Sequence, residues 1–198
     1  MNKLLKDSIE KGISYNAYRK LIKDLLAEEK STGNIQNDDM LNYSLLNDKR
    51  MDRLDKKLKI SEETVLVTKN LKKNVTFLTI AEGWCGDAAQ VLPMVNKIAE
   101  TSTNISLKLV LRDENEALMN RFLTNGGQAI PKIIVIDEEN NVIDSFGPRP
   151  STATKMVADY KNEHGSLDAE FKKNLQLWYN KDKGANTEKD IVELLKAL

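Results

Sequence analysis

Apolar positions divide the chain into helical ends and a central stretch of strands. Residues 18–26 place apolar side chains at the three-to-four-residue spacing of an amphipathic helix, and Gly33 follows as a stop. A second, more polar helix is predicted after Asn37, whose side chain can cap its start. From Ser61 towards Leu71 the pattern predicts a third helix, although residues 65–67 fit a strand equally well.

The middle of the chain alternates strands with helices. Residues 75–80 are rich in β-branched and apolar side chains and almost uncharged, which is typical of a buried central strand. The following segments are predicted in order: a helix at 88–100, a strand at 105–111, a helix at 114–123, a strand at 132–136, a turn at 137–141, a strand at 142–146 and a helix after Ser151. The order is β-α-β-α-β-β-α, and two more helices are predicted after residue 164.

Charge balance, the N-terminal sequence and the cysteine count indicate what kind of partner and compartment to expect. Thirty basic residues balance thirty acidic ones, so no charge excess indicates a nucleic-acid or membrane partner. The N-terminus is charged from Lys3 onwards and lacks a long apolar run, which predicts neither a signal peptide nor a membrane anchor. The single cysteine, Cys85, cannot form an internal disulfide, so we expect a reduced, cytoplasmic protein.

One motif carries recognisable chemistry. The sequence Trp84-Cys85-Gly86 follows the first buried strand, and Ile130-Pro131 opens a later one. This arrangement resembles the W-C-G-x-C signature of the thioredoxin family, and the strings EGWCGDAAQ, RDEN, NGGQAIPK and FGPRP resemble a bacterial subgroup of thioredoxin-like proteins.

The resemblance implies an α/β, thioredoxin-like fold with a four-stranded mixed sheet and extra helices at both ends. It also implies a cis proline at Pro131, opposite the cysteine. We expect a helical extension at 1–60, a thioredoxin-like domain at 61–163 and C-terminal helices at 164–198, with both helical parts packed on the core.

The same resemblance assigns the candidate site. Cys85 is the predicted catalytic residue, and the backbone beside Pro131 is expected to hydrogen-bond an extended peptide. The predicted substrate-binding residues are Trp84, Gly86, Asp87, Ile130, Pro131, Arg112 and Arg149.

The chain departs from the family at two positions. Ala88 stands where a dithiol thioredoxin has its second cysteine, and Thr79 stands where the family keeps a buried acid. Without a second thiol, a mixed disulfide on Cys85 has to be resolved by an external thiol.

The predicted position of Cys85 at a helix start favours its thiolate, because unpaired amides and the positive end of the helix dipole lie there. This placement predicts a pKa lowered by around one unit. Arg112 and Arg149 would deepen the effect, whereas Glu82 and Asp87 would oppose it.

The leading hypothesis is therefore thiol–disulfide exchange through one thiol, with a protein disulfide or thiol, or a low-molecular-weight thiol, as partner. The alternative is a non-redox binding module that holds an extended peptide in the groove between Trp84 and Pro131. A one-cysteine peroxidase ranks third. One cysteine and one distant histidine form no metal-ligand set, and no nucleotide-binding motif is present, so no cofactor is predicted.

Overall fold

A computed structural model describes residues 1–198 and contains thirteen helices and strands. In chain order they are α1 (Asn2–Lys11), α2 (Tyr15–Ala27), α3 (Asp38–Lys57), α4 (Glu62–Asn70), β1 (Val75–Ala81), α5 (Gly86–Ala99), β2 (Ile105–Leu111), α6 (Glu116–Met119), β3 (Lys132–Ile136), β4 (Val142–Phe146), α7 (Ser151–His164), α8 (Ala169–Asp182) and α9 (Ala185–Lys196).

The strands form one mixed sheet in the order β2-β1-β3-β4. β1 pairs with β2 in parallel, whereas β3 is antiparallel to both β1 and β4. The predicted α/β fold with a four-stranded mixed sheet and additional helices is thereby confirmed. The ambiguous segment at 65–67 is helical, because Ser61 caps α4 by accepting a hydrogen bond from the amide of Thr64.

Both faces of the sheet are buried at its two central strands, β1 and β3, which explains why these strands carry so few charges. Leu78 and Ile80 of β1 face an apolar cluster that includes side chains of α1, α2 and α3. Val75 and Phe77 face a second cluster that includes side chains of α4 and α9. The helices at the two ends of the chain therefore bury the sheet that the middle of the chain forms.

The predicted helix over 114–123 is mostly wrong, since only Glu116–Met119 is helical. The amides of Arg121 and Phe122 bond to carbonyls three residues back, which tightens the turn and ends the helix early.

The two edges of the sheet differ. At the β2 edge, the amide and carbonyl of Ile13 exchange hydrogen bonds with those of Leu109, with N–O distances of 2.9 and 2.8 Å. At the other edge, Val142–Ser145 of β4 is exposed along its length. None of the nine helices combines the length and the apolar character that a membrane-spanning helix requires.

Candidate functional site

Cys85 is the N-cap residue of α5, in the short turn that follows β1. Its backbone amide donates to the carbonyl of Glu82 at 3.1 Å, and its Sγ accepts from the amide of Ala88 at 3.4 Å. An N-cap side chain normally accepts from the third residue of the helix, and here the sulfur takes the place of the usual oxygen.

The sulfur lies against the loop that precedes β3. The Cys85 Sγ donates to the carbonyl oxygen of Ile130 at 3.2 Å, and the Ile130–Pro131 peptide bond is cis. The antiparallel pairing of Ile80 with Lys132 brings the start of β3 beside the end of β1. Trp84, Cys85, Ile130 and Pro131 are thus brought to one end of the sheet.

The predicted thiolate at Cys85 is wrong for this structure. Only 8% of the residue is exposed, and burial, followed by the charge of Asp87, raises the pKa of the thiol to about 12. Hydrogen bonds from the amides of Ala88 and Asp87, and the charge of Arg149, act in the opposite direction but are outweighed. Helix-start placement does stabilise the thiolate, but the loss of water around the sulfur costs more.

Two side chains of α8 cover the turn. The side chain of Gln176, in α8, packs on Gly86, so that a Cβ built on this glycine would lie 3.2 Å from Nε2 of Gln176. Gln90 fixes that side chain by donating from its Nε2 to Oε1 of Gln176 at 2.9 Å. Three positions further along α8, the hydroxyl of Tyr179 donates to Oδ1 of Asp87 at 3.0 Å. The sequence did not predict the roles of Gln176 and Tyr179. The apolar pattern of this segment predicts a helix, but it does not show which residues the polar side chains of that helix contact.

Arg149 and Asp87 form an ion pair beside the sulfur, with 2.6 Å between Nη2 of the arginine and Oδ2 of the carboxylate. Burial raises the pKa of Asp87 even though Arg149 and Tyr179 both act to lower it. The Nε of Arg149 is buried without a hydrogen-bond partner. The guanidinium therefore mainly neutralises Asp87. Its charge lowers the pKa of Cys85 only to a smaller extent.

The guanidinium of Arg112 packs on the ring of Trp84. Its guanidinium carbon lies 4.8 Å from the centroid of the Trp84 ring, a cation–π contact. The same group pairs with Asp113, with 2.7 Å between Nη2 and Oδ1, and Asp113 also accepts from the amide of Asn34. Arg112 therefore fixes the orientation of Trp84 and is not among the groups that shift the pKa of Cys85 most.

A buried carboxyl group lies near the motif at Glu82, which is fully buried. Its Oε1 accepts from the amide of Asp113 at 3.0 Å, whereas its Oε2 has no partner. Burial raises the pKa of Glu82. Thr79 is fully buried too, and it bonds only weakly to the carbonyl of Phe77. The chain thus places a buried acid after the end of β1 instead of within the strand.

No group of three or more histidine, cysteine or carboxylate side chains comes together in a way that could hold a metal ion. The chemistry available at this site is that of one sulfur, the Ile130 carbonyl and the Asp87–Arg149 pair.

Comparison with known proteins identifies a family, a curated relative and two similar structures. A family model described as thioredoxin matches residues 33–161. The thiol-disulfide oxidoreductase ResA of Halalkalibacterium halodurans is 29% identical over 101 residues, which cover 50% of this chain and 54% of that protein. The chain therefore spans about half of the length of the curated relative that it matches.

Two solved structures share the fold over nearly the whole chain. An HIV epitope scaffold superposes with a TM-score of 0.64 at 15% identity, covering 98% of both chains. A protein of unknown function from Pseudomonas aeruginosa superposes with a TM-score of 0.62 at 14% identity, covering 96% of this chain and 95% of the other. At these identities the likeness extends to the fold alone.

Proposed function

This chain belongs to the thioredoxin family, and on that premise we propose that it carries out thiol–disulfide exchange with Cys85 as its only reacting thiol. The observation that carries the proposal is the contact between Cys85 Sγ and the carbonyl of Ile130, just before the cis peptide bond to Pro131. The name of the related thiol-disulfide oxidoreductase supports the same class of reaction.

The proposed reaction has two steps. The Cys85 thiol first loses its proton, and its thiolate attacks one sulfur of a disulfide R–S–S–R′, forming Cys85–S–S–R and releasing R′–S⁻, which takes up a proton. An external thiolate R″–S⁻ then attacks the sulfur of R, forming R–S–S–R″ and returning Cys85 to the thiolate. The chain itself is neither oxidised nor reduced over the cycle, because the external thiol supplies the electrons.

Because the sulfur of Cys85 is buried, a partner has to open the site before it can react. A substrate disulfide reaches Cys85 only after Gln176 and Tyr179 move away from Gly86 and Asp87, and water that enters then lowers the pKa of the thiol. Trp84, Gly86, Ile130 and Pro131 would border the bound substrate. Two further groups would meet its polar atoms: the Asp87–Arg149 pair and Arg112.

We propose a protein disulfide or thiol, or a low-molecular-weight thiol, as the partner, and the cytoplasm as the compartment. No cofactor enters the proposed cycle. The compartment rests on the single cysteine, which forms no structural disulfide.

Mass spectrometry of the intact protein tests the proposal. The native protein is incubated with 2-hydroxyethyl disulfide, and the expected product is one mercaptoethanol adduct on Cys85 that disappears when glutathione is added. Cys85→Ser is the matched control and should give no adduct. If native protein remains unmodified while protein unfolded in guanidinium chloride is modified promptly, the exchange reaction is refuted.

A non-redox binding module is the second candidate, and the burial of Cys85 together with its raised pKa favours it. In that case the groove beside Trp84 and Pro131 holds an extended segment, and the sulfur serves only as the cap of α5. Replacement of Cys85 by serine then leaves partner binding intact, whereas exchange chemistry predicts that covalent trapping of the partner is lost.

A further inference from the structure

A cleft of about 500 Å³ lies between α3 and α8, and every charged side chain that lines it is basic. These side chains are Arg53, Lys57, Lys59 and Lys183, all of them exposed. None of the four forms an ion pair with a carboxylate. In a chain whose formal net charge is zero, this concentration of positive charge is local.

The acids of α3 are on a different side of the helix. Asp48, Asp52 and Asp55 lie within 2.6 to 3.2 Å of the guanidinium of Arg19, which belongs to α2, and Lys23 adds to the same network. The helix is therefore divided into an acidic side that faces α2 and a basic side that faces α8. Because its own carboxylates are already neutralised, α3 leaves the charge of the cleft uncompensated.

The basic side of α3 continues towards the motif turn. Arg50, Arg53 and Lys57 follow the three-and-four-residue spacing that puts side chains on one helix face. Arg50 is half-buried, and no carboxylate contacts it; its Nη1 donates to Oδ1 of Asn47 at 2.7 Å and lies near Gly86. Arg53 is held by Asn180 of α8, at 2.6 Å between Nη2 and Oδ1.

The cleft also has an apolar floor, made by Leu54, Leu58 and Tyr179. All three are buried, so their positions are set by packing and do not depend on a ligand. A volume of this size, with apolar side chains below and a few polar groups at the rim, is in the range of small-molecule sites. An inorganic ion would use only the rim.

We propose that the α3–α8 cleft binds an organic diphosphate. Its phosphate oxygens would accept hydrogen bonds from Arg53, Lys57 and Lys183, since several cations in one cleft match a ligand with several negative charges. The organic part would lie on the floor beside Tyr179. The cleft shares Tyr179 with the cover of the motif turn, but it does not include Cys85, and the inference does not depend on the redox proposal.

Isothermal titration calorimetry of the full chain with ADP tests the inference. At low ionic strength ADP is expected to bind, and the affinity should fall as salt is added, because the cations are exposed. The double substitution Arg53→Gln with Lys183→Gln should weaken ADP binding at least about tenfold. Lys56→Gln is the matched control: Lys56 lies on α3 too, near Asp52 on the acidic side, and its loss should change the affinity less than about twofold.

Two results would overturn the diphosphate site: no heat of ADP binding at low ionic strength, or an equal loss of affinity in Lys56→Gln. Inorganic pyrophosphate tests the apolar floor, since ADP should bind at least about threefold more tightly. Equal affinities would remove the organic part of the proposal. Thermal unfolding checks that the double variant remains folded. If it does not, Lys57→Gln alone decides, with an expected loss of about threefold.

Discussion

The burial of Cys85 predicts an unusual pH dependence for its reaction with iodoacetamide. With a pKa of about 12, roughly one molecule in ten thousand carries the thiolate at pH 8. An ordinary cysteine, with a pKa of about 8.5, is about one-quarter ionised at the same pH. The difference in thiolate population is therefore about 2,500-fold.

The rate difference is smaller, because a more basic thiolate is a better nucleophile. With a Brønsted coefficient of about 0.45, a pKa that is higher by about 3.5 units raises the rate constant of the thiolate by a factor of roughly 40. We expect native protein to react about sixtyfold more slowly than unfolded protein at pH 8, before any steric shielding is counted. The rate should also rise about tenfold per pH unit up to pH 11.

Since the chain has one cysteine, any alkylation detected by intact mass reports on Cys85 alone. Rates are measured from pH 7 to 11 on native protein, with protein unfolded in guanidinium chloride as the reference. A plateau near pH 8.5, or a native rate equal to the unfolded one, would mean that the sulfur is solvated and that the reasoning from burial is wrong.

Three substitutions give further predictions, the first for the reactivity of Cys85 and the other two for stability. Gln176→Ala uncovers Gly86 and should speed alkylation of Cys85 at pH 8 at least about threefold, whereas Gln128→Ala, in an exposed loop, should not. Gly147→Ala should lower the free energy of unfolding by about 2–4 kcal/mol in urea titrations, since φ is +109° and a Cβ would collide with the Pro131 carbonyl oxygen; Gly126→Ala, at φ +76° in open space, should cost only about 1 kcal/mol. Arg149→Gln leaves the Asp87 carboxylate buried without its cation and should cost about 3 kcal/mol at pH 8. Burial raises the pKa of Asp87, so this loss should shrink as the pH falls and the carboxyl becomes protonated; a loss that does not change with pH would contradict the account.

Local pattern was sufficient to predict the strands. The predicted strands at 105–111, 132–136 and 142–146 coincide with β2, β3 and β4. The first two are short apolar runs, and the third returns from the polar turn at 137–141. The segment at 114–123 has an equally regular apolar pattern. There the side-chain amide of Asn115 donates to the carbonyl of Leu111, and the chain then tightens after Met119. The spacing of apolar residues along the sequence does not show such hydrogen bonds between neighbouring turns.

The site was predictable in part. The motif predicted that Cys85 faces the Ile130–Pro131 loop, and the strand order brings the two segments into contact. It did not predict the state of the sulfur, because the covering residues lie far away in sequence: Gln176 bonds to a side chain 86 positions earlier, and Tyr179 to one 92 positions earlier. Helix-end electrostatics can be estimated from the motif, but desolvation depends on what packs over it.

The pairing of Ile13 with Leu109 has a consequence for association between molecules. A β-strand from a second molecule finds the main-chain donor and acceptor of Leu109 already occupied, so that pairing is blocked at this point of the β2 border. The opposite border, along Val142–Ser145, offers an unprotected template. Removal of residues 1–14 would leave both borders open, so that the β2 edge of one molecule could pair with the β4 edge of the next.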